Sequence, residues 1–395
     1  MDELAEWLVG RFGIRFNTLT AEIEFFDPER EVYKALTDKD FNTIHYYAEK
    51  EFDTRDDKRV RRAMMHPDLV ETYNPIHQYL EDLPPWDGHD HILDLANTIQ
   101  VEDSQIEVKG NLQEIWVDFF TKWLVASLSP FYKNSVNQTC LVLVGKEGKG
   151  KTTWLNNLVP KGMEEYLAVG HLVPKITEQT TANLLTEKWL VNIDDQLDDI
   201  MKNELNSLKG VISAPSVTNR KPYARYMRRR MRVCSFMASI NTTRFLTEGE
   251  NRRYLTFMIK NVDYKVKVDM NKVWSQAKHL INEGFQFWFG PEETKLVNQI
   301  NENYRRSSEE EEWLGLLYEP ADKGDLGAEF LTASEILKNL RLFAGPQLKQ
   351  YYLSKALSIK DFPRASHRKE GMPVYGYWVK KTAYHKKRDH GYQFE

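Results

Sequence analysis

The chain has 395 residues, 41% hydrophobic and 28% charged, an ordinary globular composition too long for one core, so two or three domains are expected. Its formal net charge of −4 excludes a uniformly basic nucleic-acid binder but not a local cationic patch. Its two cysteines, Cys140 and Cys234, lie among apolar neighbours, which excludes a disulfide framework or a cysteine metal site and points to buried thiols in a reducing compartment. No run approaches the roughly 18 apolar residues of a membrane span, and Met1-Asp2-Glu3-Leu4 opens no basic-then-apolar leader, so a cytoplasmic protein is expected.

In chain order, Leu4, Trp7, Leu8 and Phe12 mark a short amphipathic helix, followed by strand-like runs at 14–16 and 23–26. Helical segments complete a region ending near residue 70, where Arg55, Lys58, Arg59, Arg61 and Arg62 form a basic helix face, read first as solvated surface and second as a DNA contact. Tyr73 to Gly88, punctuated by Pro75, Pro84, Pro85 and Gly88, reads as a structured linker. Trp116, Phe119, Phe120, Trp123 and Leu124 recur at helical spacing, an aromatic stripe that belongs in a core.

From residue 139 to 260 apolar runs alternate with helical segments, the pattern of a mainly parallel sheet with crossover helices. Strands are expected at 139–144, 189–193, 233–240 and 254–259. The first leads into Gly145-Lys146-Glu147-Gly148-Lys149-Gly150-Lys151-Thr152, then a helix expected from Thr153 to Leu158. This is the phosphate-binding pattern G-x-x-x-x-G-K-[ST] in a strand-loop-helix setting. Its glycines let backbone N–H groups converge on an anion, joined by the helix start. Gly145, Gly148, Lys149, Gly150, Lys151, Thr152 and Thr153 are therefore the expected nucleotide contacts. Lys151 would reach the β- and γ-phosphates of ATP and the Thr152 hydroxyl would ligate Mg2+.

Hydrolysis needs one carboxylate to hold the metal and another to orient water, both at a strand end beside that loop. Leu190-Val191-Asn192-Ile193-Asp194-Asp195 supplies Asp194 for Mg2+ and Asp195 as base. Ala238-Ser239-Ile240-Asn241 brings a polar amide to the same place, where Asn241 would orient water or touch the γ-phosphate; a plain strand-to-turn asparagine is the alternative. Residues 243–246 look helical. Arg252 and Arg253, just before the strand at 254, suit a trans contact to a neighbouring subunit's γ-phosphate.

The most basic stretch runs from Asn219 to Arg232, with Arg220, Lys221, Tyr223, Arg225, Arg228, Arg229 and Arg230 in its span and no acid. Cations neutralise phosphates and tyrosines stack on bases, a combination suited to single-stranded nucleic acid; a solvated charge run is the usual alternative. One helical stretch is expected from Val273 to Asn303, and the acidic cluster Glu309 to Glu312 is placed at the hinge to the C-terminal part. Helices at 332–341 and 346–357, then a hairpin at 362–379 turning at Lys369-Glu370-Gly371, outline a winged helix. Lys349, Lys355, Arg364, His367, Arg368, Lys369, Lys380 and Lys381 lie on it, before the basic tail His385-Lys386-Lys387-Arg388. It would bind DNA or dock a protein.

This order of motifs resembles the superfamily 3 helicases, AAA+-like motors that place a DNA-gripping hairpin between the acidic strand and the sensor asparagine. Tyr73-Asn74-Pro75-Ile76, Leu83-Pro84-Pro85-Trp86-Asp87-Gly88, Lys188-Trp189-Leu190-Val191, Arg220-Lys221-Pro222-Tyr223 and Asn251-Arg252-Arg253-Tyr254 are similar to the virulence-associated protein E family, ATPases of phages and mobile elements. The resemblance spans about 70 to 315. It implies an α/β, AAA+-like P-loop core at 139–305, with an α+β region at 1–70, a helical domain and linker at 71–138, and a winged-helix-like domain at 328–395. It further implies a hexameric ring around single-stranded or forked DNA, with ATP and Mg2+ between subunits. Lys151, Thr152, Asp194, Asp195 and Asn241 would form one subunit's site, Arg252 or Arg253 the next subunit's contribution, and Arg220, Lys221, Tyr223 and Arg225 part of the DNA-facing hairpin. The residues before the core show no cluster of metal-binding acids, so a primase would be a separate protein. Where this family pattern commonly has Asp-Glu, this chain has Asp194-Asp195. The functions left open are a replicative helicase, an initiator or helicase loader, and a defence NTPase that senses DNA; a small-molecule kinase would leave the basic stretch unexplained.

Overall fold

The computed structural model describes residues 2–102, 110–170, 179–194, 205–219, 227–246, 251–369 and 371–389. The chain divides into two compact units, Met1–Arg305 and Arg306–Glu395.

The first unit begins with the helix Glu3–Phe12 and the strands β1 (Arg15–Asn17), β2 (Glu22–Asp27), β3 (Val32–Ala35) and β4 (Glu71–Tyr73), in spatial order β3-β2-β1-β4. Thr37 and Asp40 cap the helix Asp38–Phe52 reciprocally, satisfying two otherwise orphaned backbone donors. Leu4, Leu8, Phe41, Ile44, Val60 and Met64 close a small apolar core of this region's own. The stretch read as a structured linker holds a helix, as its prolines and glycine suggest. Its start is β4, parallel to β1, and Asn74 caps a helix, Pro75–Asp82, whose Ile76 and Leu80 are fully buried. Proline at the first helical position starts this helix, where no backbone N–H is needed.

The central sheet is built from β5 (Ile99–Val101), β6 (Cys140–Val144), β7 (Leu167–Val169) and β8 (Leu190–Asn192), then, beyond a hairpin of β9 (Ser216–Asn219) and β10 (Arg228–Met231), from β11 (Ser235–Ile240) and β12 (Tyr254–Val262). Its order is β5-β12-β6-β11-β8-β7. Every pair is parallel except β12 with the edge strand β5. Both β6 and β11 are buried at every position, as expected of parallel strands covered on two faces. The aromatic stripe is core: on the helix Leu112–Ala126, Trp116 stacks on Phe120 at 5.1 Å and meets Phe257 of β12 edge-on at 5.2 Å. Cys140 and Cys234 are free and buried, and burial raises both thiols, Cys234 to about 11.

Two expectations fail here. The single helix expected over 273–303 is two, Met270–Asn282 and Pro291–Glu302. Gly284, at φ +82°, takes the left-handed conformation that ends a helix, and Pro291 starts the next. Residues 243–246 form no helix; Phe245 and Leu246 donate their N–H groups to Tyr304 O instead, at 3.0 and 2.9 Å.

In the second unit β16 (Met372–Lys381) pairs antiparallel with β13 (Tyr318–Pro320), β14 (Ala328–Leu331) and β15 (Arg364–Lys369). The helices Ala333–Ala344 and Gln350–Ile359 bury Ile336, Leu340, Leu353 and Leu357 together. The acidic cluster, just past the division between Arg305 and Arg306, forms the first turn of the helix Glu309–Leu317, capped by Ser308, where negative charge complements the helix dipole. Glu310 is buried and accepts the Lys349 N–H at 2.7 Å.

Candidate functional site

The loop after β6 leaves the C-terminal edge of the parallel sheet. Gly148 and Gly150 hold φ values of +78° and +81°, which only glycine adopts cheaply, and the helix Lys151–Asn156 follows at once. It starts two residues earlier than expected, so Lys151 is itself helical. Lys151 is buried, and its Nζ donates to Gly145 O at 2.7 Å, Lys146 O at 3.0 Å and Asn241 Oδ1 at 3.1 Å. The amine is thus held at the mouth of a cavity of about 350 Å3 lined by Glu147, Gly148, Thr152, Ser239, Asn241 and Tyr264, among others.

Three oxygens meet beside it. Thr152 Oγ1 donates to Asp194 Oδ1 at 3.0 Å and lies 2.8 Å from Ser239 Oγ; Ser239 Oγ also donates to Asp194 Oδ1. Asp194 stands just past β8, and its N–H donates to Asn192 Oδ1 at 3.1 Å. Asn192 is anchored in turn through its Nδ2 to Asn156 Oδ1 at 2.8 Å. A carboxylate with two hydroxyls is a set of hard oxygen donors suited to Mg2+.

The structure therefore brings Lys151, Thr152, Asp194 and Asn241 to one place. Lys149 points elsewhere, its Nζ donating to Ile259 O and Lys260 O at 2.8 and 2.7 Å; it ties the loop to β12. Asp195, Arg220, Lys221, Tyr223 and Arg225 lie outside the described residues. Ser239 was not expected, although strand alternation puts it on the same face as Asn241. Tyr264, which also lines the cavity, carries no signal in the sequence.

Arg252 and Arg253 belong to the opposite edge of the sheet. Arg253 O accepts the N–H of Cys140, the first residue of β6, at 2.7 Å, whereas the loop follows the last, about 17 Å away at strand rise. Neither arginine lines its own chain's loop cavity. Arg253 Nε donates to Ser213 Oγ at 2.5 Å, and Lys209 nearby is held below its usual pKa, first by burial and then by Arg253.

The basic hairpin rises from that same edge, β9 and β10 pairing antiparallel from Ser216↔Met231 to Asn219↔Arg228. Its cations divide by role. Arg229 is exposed, with Nε on Ser216 Oγ at 2.7 Å. Arg230 faces inward, 3.4 Å from Glu187 and donating to Leu19 O. Arg232, counted in the same basic stretch, is fully buried and donates to Ala214 O, Cys234 O, Asn137 O and Ile212 O at 2.5 to 2.9 Å.

Residues 80–306 match the virulence-associated protein E-like domain. The chain belongs to that family. The virulence-associated protein E-like domain holds the loop, Asp194, the hairpin and both arginines, and stops where the second unit begins. Among solved structures, the chain is similar to the apo structure of NrS-1 C terminal region (305-718), at 13% identity and a TM-score of 0.50, covering 96% of this chain and 100% of that one. A second, the A form apo structure of the NrS-1 C terminal region, gives 12% identity, a TM-score of 0.47 and coverage of 95% and 98%. At such identity the first likeness concerns the fold alone. No curated protein matches the chain in sequence. Among the described residues no helix is long and apolar enough to cross a membrane.

Proposed function

We propose that the chain is an ATP-driven DNA translocase acting as a replicative helicase of a phage or mobile element, with an AAA+-like P-loop core. The observation that carries this reading is the convergence of Lys151, Thr152, Ser239 and Asn241 on one cavity, with Asp194 hydrogen-bonded to Thr152 and Ser239, at the C-terminal edge of a parallel sheet, the edge where open α/β sheets bind ligands. In this reading the Lys151 ammonium leaves its carbonyl partners for the β- and γ-phosphates, and Asn241, already in contact with that amine, orients the attacking water. Thr152 and Asp194 would hold Mg2+, which when bound neutralises charge on the transferring phosphoryl group.

Arg252 and Arg253, remote from their own cavity, would act on the next subunit of a ring, for which six copies is our reading. The hairpin, with Arg229 outward, would face single-stranded DNA. The second unit would serve as a winged-helix module on DNA or on another replication protein.

The test is ATPase activity with and without single-stranded DNA, together with strand displacement on a forked duplex. Lys151→Ala should abolish hydrolysis, DNA should stimulate it, and Arg252→Ala or Arg253→Ala should remove it only in the assembled protein. DNA-stimulated hydrolysis without displacement would reject the helicase in favour of a helicase loader or initiator.

A further inference from the structure

A second cavity, about 650 Å3, flanks the helix that follows the loop, and is walled by Trp154, Asn157, Pro160, Val266, Met270 and others. Tyr264 lines this cavity as well as the smaller one at the loop. Its ring lies directly on Gly150: a Cβ built there would fall 2.2 Å from Tyr264 Cδ1. The ring therefore sits where the loop becomes helix, at the junction of the two cavities, and 39% of the residue is left exposed. A loop cavity of about 350 Å3 ends at this ring, and beyond it the wall mixes apolar side chains such as Trp154, Val266 and Met270 with Asn157 and with charged groups that include Lys161, Lys265 and Asp269. Apolar faces suit the flat surface of a heterocycle, and polar groups around them suit its edges and a ribose.

The geometry points to Tyr264 as the platform on which the base of a nucleoside triphosphate stacks, with base and ribose in the larger cavity and the phosphates on the loop. This rests on the nucleotide-binding reading above and adds to it where the nucleoside lies and which residue holds it. Every base has a face to stack, so the contact contributes affinity for nucleotides as a class. The rival role for Tyr264 is purely a buttress: by leaning on Gly150 it would keep the loop in shape for any phosphate chain. The two roles differ in what the residue does for a ligand without a base.

Calorimetric titration of the full chain with Mg-bound non-hydrolysable ATP and with inorganic tripolyphosphate separates them. Tyr264→Ala should weaken ATP-analogue binding on the order of tenfold and tripolyphosphate binding less than about twofold, while Tyr264→Phe keeps both within about twofold of wild type. Asn157→Trp, which fills the larger cavity away from the loop, should likewise weaken only the ligand that carries a base. Equal losses for both ligands in Tyr264→Ala, or unchanged ATP-analogue binding in either Tyr264→Ala or Asn157→Trp, would overturn the assignment while leaving the nucleotide reading in place. A wild-type chain that binds neither ligand would remove the nucleotide reading itself, and this one with it.

Discussion

Replacing Arg232 with methionine should cost the first unit about 3 kcal/mol of stability. The guanidinium commits four donor contacts to the carbonyls of Asn137, Ile212, Ala214 and Cys234. Two of those carbonyls, Ile212 and Ala214, lie at the C-terminal end of the helix Leu205–Ser213, where a cation also complements the dipole. Methionine keeps most of the stem's volume and offers no donor. A carbonyl left dry costs about 1–3 kcal/mol, so four set a ceiling near 12. Against this, methionine removes the several kcal/mol spent on burying a charge, a penalty reflected in the lowered pKa of Arg232, chiefly from burial. The net loss, about 3 kcal/mol, is read by urea unfolding followed by tryptophan fluorescence. Arg232→Lys should recover only part of it, because an ammonium cannot span four acceptors in a fork. A loss below about 1 kcal/mol would refute the claim that these carbonyls depend on Arg232.

Thr152→Val should lower ATP turnover by about 10- to 100-fold and raise the Mg2+ concentration needed for half-maximal rate, since it removes a hydroxyl from the oxygen set around Asp194; unchanged metal dependence would exclude Thr152 as a ligand. Arg229→Ala should flatten the salt dependence of single-stranded DNA affinity by about 0.7 in log–log slope. Arg230→Ala, whose guanidinium faces Glu187, should leave that slope alone and lower stability instead; a slope change from Arg230 equal to that from Arg229 would contradict the division. Asp87 is held well below its ordinary value of 3.8 by the His89 N–H first, then by His91 and Lys272. Because its folded pKa is depressed, the stability it contributes is complete above the ordinary value and is lost as pH falls through the folded one. Asp87→Asn should therefore make acid unfolding less steep below about pH 4; an unaltered acid limb would rule the group out.

What could be read from the sequence follows from how locally each feature is encoded. The strands of the central sheet announce themselves because β6 and β11 are buried on both faces and must be continuously apolar. The loop is legible because its glycines and lysine stand at fixed spacing between a strand and a helix. The break between Asn282 and Pro291 is also locally encoded, by Gly284 and Pro291, although the phenylalanines at 285, 287 and 289 keep the segment apolar. Arg232 looks like Arg229 in the sequence; only the meeting of Asn137, Ile212 and Cys234 around it makes it structural. Tyr264 is more than 100 residues from Gly150, and no spacing rule joins them; the parallel pairing of β12 with β6 does.

That pairing has a consequence for how the protein is made. Synthesis is vectorial, so β6 and its loop leave the ribosome long before β12 exists to flank them. Until residues 259–264 emerge, Lys149 lacks the carbonyls that tether it and Gly150 lacks its aromatic cover. Contacts of such long sequence separation form late and slowly, so a nascent chain stopped before Tyr254 should be unable to assemble the loop's surroundings. On the nucleotide reading proposed above, the ligand would bind only the finished domain, and its binding energy would favour the completed sheet over earlier, partly folded species.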